Sequence, residues 1–295
     1  MNKPPLALLA LLIPLALLAL VGCRPPAPAP AGQRLTDDLG RVVAVPFSPK
    51  RVLSLAPSNT EWMFALGAGD LLVGRTDACD FPTESARVPS VGSLFPPDLE
   101  GILRLQPDLV LMIEGLADLR ATLTARGLPV LVLQPRDIEG IFGNITLLGQ
   151  ALGRPQEAQA LATRLRTQLD ALPPVAGAPR VLFEIWPDPL TAVGPRTFTD
   201  ALLRRAGGQN VVSGGLGDWP QISLETVVQQ APAVIIASSE ESAQAIRAGQ
   251  RPGLSKTPAA VSGRVVVPPD ADWLVRPGPR FVLGLEWLGT ALRAP

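Results

Sequence analysis

The sequence predicts an α/β protein made of two related lobes joined by a single long helix. Three observations lead there. From residue 35 onward, short apolar runs of strand type alternate with stretches of helical spacing. The first half then returns in the second: Arg180-Val181-Leu182-Phe183-Glu184 repeats the character of Arg51-Val52-Leu53-Ser54-Leu55, and residues 224–236 nearly copy residues 99–111. Between the halves, Pro155 stands where a first helical residue belongs, and residues 156–172 run without Gly or Pro.

Composition narrows the chemistry before any motif does. The chain has 295 residues, 47% of them apolar, and its 26 Lys and Arg balance 26 Asp and Glu, so it carries no basic stripe for nucleic acid. It contains no His and no Tyr. The commonest general base, the commonest metal ligand and two axial ligands of haem are therefore missing, which argues against an enzyme, a zinc carrier and His- or Tyr-ligated haem. Cys23 and Cys79 are the only cysteines, too few for a disulfide scaffold or a Cys-rich metal site. No resident metal or cofactor is expected.

In chain order, residues 1–22 have the charged start and apolar core of a secretory signal, with a marginal membrane anchor as the alternative. Leu20-Val21-Gly22-Cys23 resembles the bacterial lipobox, which implies cleavage before Cys23, acylation of its thiol and an extracytoplasmic, membrane-anchored protein. Residues 23–33 are rich in Pro and Ala and read as an extended tether, because proline lacks the amide donor that helices and sheet interiors need.

A hairpin follows over residues 36–46, then a buried-type strand at 51–55. Ser58 and Glu61 have capping-box spacing, so the next helix is expected to begin around Trp62 and to stop at Gly67. Strands at 107–112 and 129–133 alternate with helices at 98–106 and 116–126, separated from 71–73 by an irregular stretch over 76–97. The second half gives strands at 180–184, 233–236 and 264–267 and helices at 200–206 and 224–230. The lobes are expected to span residues 34–153 and 174–295, with the connecting helix over 154–173. Ala160, Leu161, Leu165 and Leu169 form its apolar stripe, and residues 156–172 make a rod of roughly 25 Å.

The most informative stretch is Asp272-Trp273-Leu274-Val275-Arg276-Pro277-Gly278-Pro279-Arg280, which reads as a loop presenting a carboxylate, an indole and two guanidinium groups to a large, partly polar ligand. Trp219, in a Gly-rich segment, and Trp186, before Pro187, are further candidates for the wall of a cleft between the lobes. Trp62 and Trp287 fall on helices and are expected in the core. Asp77, Asp80 and Glu84 lack the spacing of a cation loop and read as a solvated acidic stretch. Glu100 and Glu225 open equivalent helices, each seven residues before a Pro. Two equivalent acids, one per lobe, suit two basic sites on a symmetric partner.

Leu53-Ser54-Leu55-Ala56-Pro57-Ser58-Asn59-Thr60-Glu61, Leu99-Glu100 with Pro107-Asp108, Trp219-Pro220-Gln221-Ile222-Ser223-Leu224-Glu225, and Asp272-Trp273 with Arg276 together resemble the helical-backbone periplasmic binding proteins of bacterial ABC importers. Within that family the likeness runs to members that bind vitamin B12, and it covers most of residues 34–292. The resemblance implies Rossmann-like lobes, a ligand cleft between them and transport without catalysis. It further implies cobalamin or a related corrinoid as ligand, held by residues 272–276, Trp219, Ser58, Asn59, Ala78 and Trp186, and an ABC permease dimer with its ATPase subunits that meets Glu100 and Glu225. The chain departs from the B12-binding pattern at Ala78, Leu94 and Ile113, where that pattern has aromatic rings. A ferric siderophore, paired through Arg276 and Arg280, is the alternative ligand.

Overall fold

The computed structural model describes residues 32–173, 177–212 and 214–293. The signal segment and Cys23 lie outside the described residues. Among the described residues no helix is long and apolar enough to cross a membrane.

Strands β1 (Gly32–Thr36) and β2 (Val42–Pro46) form the expected hairpin. Gly32 and Gln33 belong to it, pairing with Pro46 and Val45, so the tether ends earlier than residue 33. The hairpin also satisfies an otherwise open sheet edge: Asp38 N donates to Val132 O at 3.1 Å, and Val132 N to Asp37 Oδ2 at 3.2 Å.

The first lobe carries β3 (Val52–Ser54), β4 (Leu72–Arg75), β5 (Leu109–Met112) and β6 (Val130–Val132). They form a parallel sheet in the order β4-β3-β5-β6, interleaved with α1 (Pro57–Ala65), α2 (Leu99–Arg104) and α3 (Ala117–Ala125). After α4 (Ile138–Ala151) and α5 (Pro155–Asp170) comes the second lobe. It holds β7 (Arg180–Pro187), β8 (Leu190–Ala192), β9 (Gln209–Asn210), β10 (Val234–Ile236) and β11 (Val265–Val266). Here β9, β7, β10 and β11 are parallel neighbours, and β8 adds antiparallel to the far end of β7. The order β9-β7-β10-β11 is that of β4-β3-β5-β6. Helices α6 (Phe198–Arg205), α7 (Leu224–Gln230), α8 (Glu240–Arg247), α9 (Pro258–Val261), α10 (Asp272–Val275) and α11 (Phe281–Arg293) complete the chain.

The repeat extends to single residues. Gln106 and Ala231, each just past the helix that feeds a central strand, have φ of 45° and 46°, and each precedes the Pro that closes the turn. Arg51 donates through Nε to Gln106 O at 3.1 Å, and Arg180 through Nε to Gln230 O at 2.6 Å. Each lobe thus uses its opening arginine to satisfy carbonyl groups left free at a helix end.

Three further expectations change. Helix α1 starts at Pro57 with Ala56 as its N-cap and no side-chain cap, so Ser58 and Glu61 form no capping box. Pro57 begins the helix because it needs no amide partner there, which frees Glu61 for another role. On α5 the buried stripe is Ala158, Leu161, Leu165 and Leu169, and Ala160 faces out. That helix has 16 residues, roughly 24 Å. Finally, Asp272–Val275 is a short helix rather than a loop.

Candidate functional site

In open parallel α/β sheets the carboxyl ends of the strands face the ligand crevice, and two adjoining cavities lie there. The larger one, about 590 Å³, is lined from lobe one by Ala56 and Pro57 after β3 and by Ile113, Glu114 and Gly115 after β5. From lobe two it takes Asp218, Trp219, Val275 and Arg276. A second cavity of about 430 Å³ lies at the ends of β7, β10 and β11, against Glu184, Ile185, Ser238 and Pro268. Trp219 and Val275 line both, so the cavities adjoin along these two side chains. Each is of the size of a small-molecule site.

Of the residues singled out in the sequence, Ser58, Ala78, Trp219, Val275 and Arg276 line the larger cavity. Asp272 stands behind Arg276, with its Oδ1 2.9 Å from Arg276 Nε. Leu274 is buried in the core, and Asn59 is buried in α1. Trp273, Asn59 and Trp186 line neither cavity; Trp186 is exposed at the end of β7 and donates its indole N–H to Asp188 O at 2.9 Å. Trp62 is in the core, as expected, and its Nε1 reaches across the lobes to Pro277 O at 2.8 Å. Trp287 packs against the core from a partly buried position.

Ala78, Leu94 and Ile113 all face the larger cavity, and beside them stands a ring that the sequence reading passed over. Phe95 is 54% exposed there, packed over Gly115, in the irregular stretch after β4. Its neighbours are Pro96 and Pro97, a context that signalled only a loop.

An ionic cluster joins the lobes beside this cavity. Glu61, 1% exposed on its side chain, accepts from Arg280 Nε at 2.9 Å and Nη2 at 2.8 Å. At Gly278 a Cβ would stand 2.9 Å from Glu61 Oε2, so the absence of a side chain there leaves room for the pair. Arg280 also donates to Asp270 at 2.8 Å and stacks over Phe81, 4.0 Å from the ring centroid. Arg276 binds Asp80 at 2.6 Å and Asp272 at 2.9 Å, with Glu61 3.7 Å away. Asp80, 62% exposed on its side chain, is a solvated loop acid, as expected, and also half of an inter-lobe pair.

Four carboxylates (Glu61, Asp80, Asp270, Asp272) share two guanidinium groups, and the titration behaviour follows. The hydrogen bond from Arg276 holds Asp80 below the usual carboxylate range. Burial pushes Asp272 up, against the pull of Arg276, with the carboxylates of Asp270 and Asp80 adding to the rise. The bond to Glu61 raises Arg280.

A second buried ion supports the smaller cavity. Glu184 has no exposed surface and takes the place that apolar Leu55 holds in lobe one. It accepts from Ser238 Oγ at 2.8 Å, from Ser242 Oγ at 2.5 Å and from Arg251. Burial would raise its pKa, but those donors outweigh it and hold the group low.

Glu100 and Glu225 sit, exposed, in the first turns of α2 and α7, behind the N-caps Asp98 and Ser223. Each helix leads into the central strand of its own sheet, so the two acids occupy equivalent topological places.

Comparison with known proteins agrees with this architecture. A family model described as periplasmic binding protein matches residues 52–271. The ABC transporter substrate-binding lipoprotein YvrC of Bacillus subtilis, itself of uncharacterised function, is 30% identical over 270 residues, 88% of this chain and 84% of that one. The crystal structure of the periplasmic vitamin B12 binding protein BtuF of Vibrio cholerae matches with a TM-score of 0.73 at 28% identity, covering 84% of this chain and 98% of the other. The periplasmic heme-binding protein RhuT from Roseiflexus matches with a TM-score of 0.73 at 29% identity, covering 83% and 98%. With two sheets of like strand order, a crevice at their carboxyl ends and a family match over most of its length, this chain belongs to the periplasmic binding protein family of ABC transporter substrate-binding proteins.

Proposed function

We propose that the protein captures cobalamin or a related corrinoid in the paired cavities around Trp219 and delivers it, chemically unchanged, to an ABC permease dimer with its ATPase subunits. The observation that carries this choice is electrostatic. Arg276 and Arg280 face four acids, and Arg136 at the rim is paired with Glu114 and Asp218. Among the described residues that line or flank the cavities, no surplus positive charge is left for an anionic chelate or for haem propionates. A corrinoid presents mainly neutral amide groups at its edge, which suit such a balanced, hydrogen-bonding wall.

Axial chemistry points the same way. The chain has no His or Tyr, and Met63, Met112 and Cys79 are all fully buried away from the cavities. A corrin brings its own ligand for cobalt and needs none from the protein, whereas haem carriers of the His or Tyr type do. Trp219, Phe95, Leu94 and Ile113 supply apolar area for a macrocycle face. The name of the Vibrio cholerae neighbour supports this reading, and that of the Roseiflexus neighbour supplies the competitor to be tested.

In this reading residues 34–153 and 174–295 close on the ligand about the helix of 154–173, Glu100 and Glu225 meet the permease, and an acylated Cys23 holds the protein to the outer face of a membrane. Calorimetry of the purified protein with cyanocobalamin, haemin and an anionic ferric catecholate tests the ligand. Sub-micromolar binding of cyanocobalamin alone is expected; binding of haemin or the catecholate in its place overturns the assignment. Mass spectrometry of the protein from its native envelope tests the lipid on Cys23.

A further inference from the structure

Trp219 is common to both cavities, yet its own segment does little to hold it. Gly214, Gly215 and Gly217 precede it, two of them at positive φ, and its side chain is 48% exposed. Trp62 and Trp186 donate their indole N–H to carbonyl groups, whereas Trp219 makes no such bond among the described residues. On one side the backbone is fixed: Gly194 N donates to Asp218 O at 2.8 Å, and Ala192 N to Pro220 O at 3.0 Å. A Cβ at Gly194 would lie 2.1 Å from Gly217 O, so only glycine admits the loop.

The other side is held by charge from the opposite lobe. Arg136, shortly after β6, pairs through Nη1 with Asp218 and donates through Nη2 to Glu114 Oε2 at 2.9 Å. Glu114 N in turn donates to Gln134 Oε1 at 3.2 Å, and Glu114, Gln134 and Asp218 all line the larger cavity. The ionic triad therefore sits on the rim, one residue from Trp219.

The geometry points to Arg136 as a positioning residue for Trp219: by holding Asp218 across the gap, it sets how far the indole projects into the ligand space. The inter-lobe ionic links differ in kind, and in the Arg276–Asp80 link the side chains are 17% and 62% exposed. In the Glu61–Arg280 link the side chains are 1% and 13% exposed, and in the Arg136–Asp218 link 45% and 40%. Salt and water reach both partners only in the Arg136–Asp218 link, so among these links the interface opens first at Arg136, and ligand enters and leaves on that side. This inference rests on the reading that the paired cavities hold the ligand.

The test uses Arg136→Ala, Arg136→Lys and Asp218→Asn, with Trp219→Phe to isolate the Trp219 signal. Acrylamide quenching of Trp219 in the protein without added ligand should rise in Arg136→Ala and Asp218→Asn and recover in part in Arg136→Lys. Cyanocobalamin dissociation should quicken about two- to fivefold at low salt, the range an exposed ion pair supports. At about 0.5 M salt, where screening acts within a few ångströms, variant and wild type should converge. Identical Trp219 quenching in wild type and Arg136→Ala at low salt overturns the proposal, as does a difference that salt leaves untouched. If quenching responds as expected and wild type takes up no cyanocobalamin, Arg136 keeps its role and the corrinoid assignment falls.

Discussion

Glu61, in the first helix of lobe one, and Arg280, just before the last helix of lobe two, meet in a two-pronged ion pair of 2.8 and 2.9 Å. They are 219 residues apart. A buried carboxylate left without its partner is strongly destabilising, and Arg276 at 3.7 Å replaces only part of the contact. Arg280→Ala should therefore lower unfolding stability by about 3 kcal/mol in urea titrations. Arg280→Lys should recover less than half, because an ammonium cannot span both oxygens. A cost below about 1 kcal/mol would put the pair in the class of surface contacts.

Acid should weaken the protein through Glu184. Its folded pKa is depressed, so it binds a proton more readily in the unfolded chain. The stability this contributes is fully present above the ordinary glutamate value of about 4.3 and is lost as pH falls through the lower folded value. Urea titrations at a series of pH values should show a decline in that window for the wild type and a shallower one for Glu184→Gln. Parallel curves for the two proteins would exclude Glu184 as the source.

Trp219→Ala should cost binding and spare folding. A large ring at the centre of a ligand site commonly carries about 2 kcal/mol or more, a loss of roughly thirtyfold in cyanocobalamin affinity. The side chain is nearly half exposed, so the urea midpoint should move by no more than about 0.5 kcal/mol allows. A large fall in stability would make Trp219 a packing residue.

Docking and capture should separate. Glu100 and Glu225 are exposed and line neither cavity. The double variant Glu100→Arg with Glu225→Arg should bind cyanocobalamin as wild type does and fail to support uptake in vesicles that contain the permease. Weakened capture by the double variant would move these acids into the ligand site.

The fold was legible because it is written twice. The Arg-to-strand openings and the Glu and Pro seven residues apart are local signals, and local signals survive in a single sequence. That Trp219, Val275 and Arg276 line the cavity was legible as well, since the segments that follow strands are where α/β crevices form. The ionic partners were not. Glu61 looked like a capping residue because its spacing to Ser58 satisfied a local rule, while its real partner lies at the other end of the chain. Glu184 lay inside a predicted strand, where alternation says nothing about an arginine 67 residues on. Arg276 and Arg280 looked available to an anion for the same reason: the acids that neutralise Arg276 and Arg280 include Asp80 and Glu61, which only folding brings near. Phe95 was missed because two prolines made its segment look like mere connection.

The matched bends at Gln106 and Ala231, each fastened by the arginine that opens its lobe, have a practical consequence. The molecule carries an internal control: any substitution at one bend can be scored against its twin in the same tube, under the same solvent and temperature. Where twin positions respond alike, the cause is the shared scaffold; where they part, as Leu55 and Glu184 already do in kind, the difference marks what is particular to one half.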